Sequence, residues 1–218
     1  GTRMEGKLNP QWFYHWMLNR QVGRMTMPTT PETRVDIDAY NALLNLDYFV
    51  GHTVLRNAGF EVTISTGDKA YTPTKMETFS PLFPSNHDRS GAMDWWGMMN
   101  SRILTLYTFL DLSRTLEMLM EFHSFAIKSN GAAWYLGDMS PAWWSGSPQV
   151  NWPGDGQALK SGGTEFDFHW TWHSPWDRAF HFGYSRYTPG DLLKSPKFWG
   201  PHGTEAVHWG YFQTEVKF

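Results

Sequence analysis

Cysteine is missing altogether from the 218 residues, which removes disulfide frameworks, zinc fingers, iron–sulfur clusters and thiol catalysis together. Charge is scarce as well. Only 18% of residues are charged and the formal net charge is −3, too near neutral for a fold coated in nucleic acid, although a local basic patch is still compatible with it. Long apolar runs are also lacking. The longest, Ile103 to Leu112, carries Asp111 and is about half the length of a membrane-spanning helix, so no membrane insertion is expected. No Gly-x-Ser-x-Gly elbow, Gly-x-Gly-x-x-Gly turn, phosphate loop or His-x-His pair occurs, which weakens acyl-transfer, dinucleotide and compact metal chemistry. No fixed repeat suggests a propeller or solenoid. No cofactor is expected.

What the chain has in excess is aromatic: 13 Trp, 15 Phe and 9 Tyr, beside 20 Gly and 13 Pro. With 41% hydrophobic residues it can bury a real core, and its length suits one domain spanning residues 1–218. Gly1 in place of Met, and the lack of a basic arm at either end, suggest an ordered piece of a longer chain.

The patterning is mostly that of strands. Val22–Met27 reads as a strand stopped by Pro28 and Pro31, and Phe60–Ser65 alternates with period two up to Gly67-Asp68. Between them, Tyr40, Leu43, Leu44, Asp47 and Tyr48 fall near helical spacing behind Asp38, which predicts a short helix over 39–50. Residues 71–91 read as a long ordered loop. Ile103–Phe109 fits a helix or a buried strand, whereas Thr115–Ser129 alternates as a strand. A Pro-broken, Trp-rich loop covers Gly131–Gly163. The last third is clearest: Phe166, Phe168, Trp170 and Trp172 share one strand face, with Asp167, His169, Thr171 and His173 on the other. Phe180, Phe182 and Tyr184 repeat the pattern, and a final strand runs from Val207 to Phe218. Strands joined by long Pro-broken loops with one short helix predict an all-β fold, an antiparallel β-sandwich of jelly-roll type.

Candidate chemistry is thin. His169 and His173 share a face with Asp167, but residues four apart on a strand are about 13 Å apart, too far to share one ion. Glu117 and Glu121 share a face on the 115–129 strand and read as an acidic stripe rather than a glycosidase pair. Trp95, Trp96, Trp143, Trp144 and Trp152 sit in or beside loops. So many indoles exceed the capacity of one sandwich core about 10 Å thick, so these five are expected to be buried within the chain or against a partner subunit.

Three local features carry a family resemblance. A short helix around Ala39–Val50 leads into the strand Gly59–Ser65; Tyr71-Thr72-Pro73-Thr74-Lys75-Met76-Glu77-Thr78-Phe79 precedes Phe83-Pro84; and the chain ends in His208-Trp209-Gly210-Tyr211-Phe212-Gln213-Thr214-Glu215-Val216-Lys217-Phe218. Over about a third of its length the chain thus resembles the jelly-roll capsid proteins of small single-stranded DNA viruses, the parvovirus-like densoviruses in particular. The resemblance implies a non-enzymatic shell subunit of the virion that assembles with copies of itself around single-stranded DNA. Genome contact would then fall to Arg3, Lys7, Arg20 and Arg24. Two alternatives stand beside it. One is a carbohydrate-binding or carbohydrate-cleaving sandwich using Trp143, Trp144 and Trp152; the other is a metal-dependent jelly-roll enzyme using His169, His181 and a carboxylate.

Overall fold

The computed structural model describes residues 1–27, 30–51, 54–68, 74–82, 90–129, 134–136, 161–174, 178–194 and 205–216. Ten strands lie in one sheet: β1 (Thr2–Lys7), β2 (Trp12–Met27), β3 (Thr30–Phe49), β4 (Leu55–Ser65), β5 (Lys75–Met76), β6 (Ser101–Asp111), β7 (Leu116–Ile127), β8 (Ser161–Ser174), β9 (Arg178–Pro189) and β10 (Val207–Val216). One helical turn, α1 (Asp191–Lys194), follows β9. Leaving out β5, which adds a short parallel pairing to β3, each strand pairs antiparallel with the next along the path β1-β2-β3-β4-β6-β7-β8-β9-β10. The all-β expectation holds, and so do the strands at 22–27, 60–65, 116–127, 166–172 and 180–184. The ambiguous run at 103–109 is strand β6.

Two expectations change. The described strands form a single meandering sheet that is not closed, so the all-β class stands and the jelly-roll sandwich is not confirmed. The helix expected over 39–50 is instead the second half of β3, hydrogen-bonded to β2 on one side and to β4 on the other. Its spacing misled because apolar residues stand on both faces: Leu43 is buried on one and Leu44 exposed on the other. Two flanking ladders of backbone hydrogen bonds decide the matter over local periodicity.

The connections are unequal at the two ends of the sheet. At one end, chain segments 8–11, 50–54, 112–115 and 175–177 join neighbouring strands. The connections 8–11 and 112–115 are locally wired. Asn9 Oδ1 accepts from the backbone N–H of Gln11 and Trp12, each at 2.9 Å, and Ser113 Oγ accepts from Thr115 and Leu116 at 3.2 and 3.1 Å. Gly51 takes φ +79°, a conformation that favours glycine. At the other end the connections run over 66–100, 128–160 and 190–206, and the β2–β3 hairpin projects beyond its neighbours.

The main apolar core lies at this long-loop end and is small. Trp96, only 1% exposed, stacks on Phe125 and Trp134 with ring centroids 5.4 and 5.0 Å away. Its indole N–H donates to the Tyr187 hydroxyl at 3.1 Å, and Ile103, Ile127, Leu192 and Leu193 complete the cluster. Burying these rings is the largest local stabilisation available to the loop segments that carry them.

Candidate functional site

Cross-strand partners share a face of a sheet, so the register sorts every strand residue onto one of two faces. One face carries Trp16, Leu18, Ala42, Leu44, Phe60, Val62, Leu104, Leu106, Met120, Phe122, Phe168, Trp170, Phe182 and Phe212. The other carries His15, Asn41, Asn45, Asp47, Asn57, Glu61, Thr105, Tyr107, Glu121, His123, Glu165, Asp167, His169, His181 and Gln213. Burial is inverted relative to a water-soluble sheet. Leu44, Leu106 and Phe182 are exposed, and Phe212 is 60% exposed, while Asn41, Glu61, Thr63, His123, Glu165 and Asp167 are buried. An apolar surface on this scale is not left to water.

The apolar face is also a belt of defined height. On β9, Arg178 and Arg186 bracket Phe180, Phe182 and Tyr184; on β3, Tyr40 and Tyr48 bracket Ala42, Leu44 and Leu46. Eight residues of strand cover about 26 Å, or about 20 Å of height at a tilt near 40°. Aromatic pairs mark the short-turn edge, where Trp12 meets Tyr48 at 4.9 Å and Trp172 stacks on Phe180 at 5.2 Å. Beyond Tyr40 the same face turns ionic, with Arg20–Asp38 at 3.1 Å and Arg24–Asp36 at 2.7 Å.

The polar face is wired by side chains. Asn45 donates to the Tyr107 hydroxyl at 2.6 Å, Tyr107 donates to Asp47 at 2.7 Å, and Asn57 donates to the same Asp47 oxygen at 3.1 Å. Further along, His169 Nδ1 meets Tyr211 at 2.9 Å and His181 Nδ1 meets Thr171 at 3.0 Å. Arg56 bridges Asp111 and Glu117, the latter at 2.8 Å. Between these groups lies a pocket of about 570 Å³ lined by Asn45, Asp47, Glu61, Tyr107, Glu121 and His169 among others. Two glycines make room for tyrosines there: a Cβ on Gly59 would lie 2.6 Å from the Tyr107 hydroxyl, and one on Gly183 would lie 1.8 Å from Tyr211 Cε1.

The basic residues picked from the sequence do not form one patch. Arg3 and Lys7 stand on the polar face of β1, whereas Arg20 and Arg24 stand on the opposite face of β2. Arg3 is paired with Glu5 at 2.5 Å, so each of the three arginines already has a carboxylate. Trp96 is enclosed by the chain's own core, and Trp95 stacks on Trp134 and Tyr187 at 6.5 and 5.7 Å. Trp143, Trp144 and Trp152 lie outside the described residues. His169, His173, Asp167, Glu117 and Glu121 do share a face, as their alternation implied. Sequence reasoning passed over His123, Glu165, Tyr107 and Asp47. Their signal was the run of polar residues opposite each aromatic stripe.

An apolar belt edged by aromatics, a wired polar face behind it, short turns at one end and long loops at the other define the wall of a transmembrane β-barrel. The chain belongs to the alginate export family, whose model matches residues 1–197. That family comprises outer-membrane β-barrel export proteins and not enzymes. Comparison with curated proteins gives no match.

The membership overturns the capsid resemblance and, with it, the shell-subunit function, the single-stranded DNA genome, the virion location and the absence of membrane insertion. Neither the carbohydrate-active sandwich nor the metal-dependent jelly-roll enzyme fits the family. The membrane expectation failed for a physical reason. A run of about twenty apolar residues is the requirement for a helix, whereas a strand crosses with about ten residues, only every second of which need be apolar. The capsid motifs failed because aromatic-rich alternating strands look alike whether lipid or a second sheet covers them.

Proposed function

We propose that this chain forms part of the wall of an outer-membrane conduit through which a hydrophilic polymer leaves the cell, with alginate the candidate that the family description supplies. The observation that carries this reading is the inverted sheet, with apolar side chains exposed on one face and carboxylates, imidazoles and amides buried on the other. Lipid covers the first face and the conduit runs along the second. The short turns face the periplasm and the long connections face outward. The core around Trp96 then sits at the outer end of the passage, where the segments 90–100 and 134–136 fold against the polar face.

Among the described residues the sheet is open, with free edges on β1 and β10. Leaving β5 aside, the ten strands leave nine alternating ones, so β1 and β10 run in the same direction. Antiparallel closure therefore takes an odd number of further strands between those edges, consistent with the even totals of bacterial barrels.

Liposomes loaded with alginate oligosaccharide and with dextran of similar size test the function. Reconstituted full-length protein is expected to release alginate, and vesicles that stay sealed, with protein extractable by alkaline carbonate, would overturn it. A second reading has its own observation. The described polar face carries Glu5, Asp47, Glu61, Asp111, Glu117, Glu121, Glu165, Asp167 and Glu215 against Arg3, Lys7 and Arg56, a balance that attracts cations. A reversal potential favouring cations, with no alginate release, would support that alternative.

A further inference from the structure

We propose that Glu121, His123 and Asp167 form a binding site for a divalent transition-metal cation of the zinc class, set in the polar face of the sheet. Their ligand atoms all lie within 4.8 Å of one another. The register explains why: Glu121 and Asp167 are direct cross-strand partners on β7 and β8, and His123 stands two residues along the same face of β7. His123 Nε2 is 3.1 Å from Asp167 Oδ2, near the roughly 3.3 Å that separates two ligand atoms bonded to one tetrahedral zinc at 2.0–2.1 Å. Glu121 completes the set with a small movement, which its partly exposed side chain permits.

Burial supplies the second, independent observation. Asp167 is 0% exposed and Glu165 beside it equally so, yet among the described residues Asp167 Oδ1 and Glu165 Oε2 accept no hydrogen bond. His123 is the basic side chain already set against this enclosed acid pair, and a bound cation would add compensating charge and fill the acceptor positions left open. The surroundings already orient the ligands. The other imidazole nitrogen of His123 is 2.9 Å from Thr105 Oγ1, which fixes the ring. The backbone N–H of Met93 donates to Glu165 Oε1 at 2.9 Å, and that of Ala92 reaches Asp167 Oδ2 at 3.4 Å. Access is provided by Glu121, which lines the 570 Å³ pocket on one side and the trio on the other. One imidazole with two carboxylates suits zinc or a neighbouring first-row cation better than magnesium or calcium, which take oxygen ligands. The fourth position would be left to water from the pocket.

The test is calorimetric titration of the full chain in detergent, without a histidine tag and after chelator treatment, with ZnCl₂ and, in parallel, MgCl₂. The expected result is saturation at one Zn²⁺ per chain with no comparable Mg²⁺ binding. Glu121→Gln should weaken zinc at least tenfold, and His123→Gln should abolish it, while His181→Gln, on the same face but outside the trio, leaves it unchanged. Circular dichroism and heat-modifiable gel migration establish that each variant is folded. Should His123→Gln fail to fold, Glu121→Gln decides alone, since that side chain is only partly buried. No saturable zinc binding, or affinity unchanged in Glu121→Gln, would overturn the site.

Discussion

Placing a guanidinium at Leu44 separates a lipid-covered face from a water-covered one. Leu44 is 47% exposed and lies four residues from both Tyr40 and Tyr48 on β3, about 13 Å along the strand from either edge of the belt. On a water-facing surface Leu44→Arg would change stability by about 0.5 kcal/mol or less. At the middle of a bilayer the same change costs about 2–4 kcal/mol, a shift of roughly 30- to 900-fold in the unfolding equilibrium. Val22 supplies the control. It is 68% exposed on the same face of β2 but opposite Asp38, outside the belt, so Val22→Arg should cost about 1 kcal/mol or less. Denaturant unfolding of the protein in phospholipid vesicles, followed by tryptophan fluorescence, measures both. Equal stabilities for the two variants would refute the assignment of this face to lipid.

Two packing predictions follow from the polar face and the loop-end core. Gly183→Val should displace the Tyr211 ring, with which its Cβ would collide at 1.8 Å, and break the 2.9 Å bond to His169; a loss of about 1–3 kcal/mol in the same unfolding assay is expected, and Gly183→Ala should fall short of it. Trp96→Ala removes a ring that is enclosed by Phe125, Trp134 and Tyr187 and should cost about 3–5 kcal/mol. Limited proteolysis of that variant should cut within 90–100 first, whereas unchanged protection would show that the segment is held by other contacts.

Much of the sheet was readable from residues alone. The stretch 166–173 is a pure alternation of Phe or Trp with Asp, His and Thr, and it became β8 with the faces divided as read. The excess of rings over what one core can hold was also real, as Phe166, Trp172, Phe182 and Phe212 are exposed. What covers them was not legible, because alternation reports that one face is apolar and is silent on whether protein or lipid meets it. The helix expected at 39–50 failed where both faces hold leucine. The trio of Glu121, His123 and Asp167 was hidden for another reason: its members come from two strands, and only the register of β7 on β8 brings them together.

The absence of cysteine makes the sidedness of β3 directly measurable. Single cysteines introduced in turn at positions 40–48, labelled with a nitroxide in reconstituted vesicles, report collisions with oxygen dissolved in lipid and with a water-soluble nickel chelate. If the inverted sheet is a barrel wall, positions 42, 44 and 46 will favour oxygen and positions 41, 43, 45 and 47 will not, giving a period of two across the belt. Nickel accessibility equal on both sets, or higher on the even positions, would contradict a membrane-spanning wall.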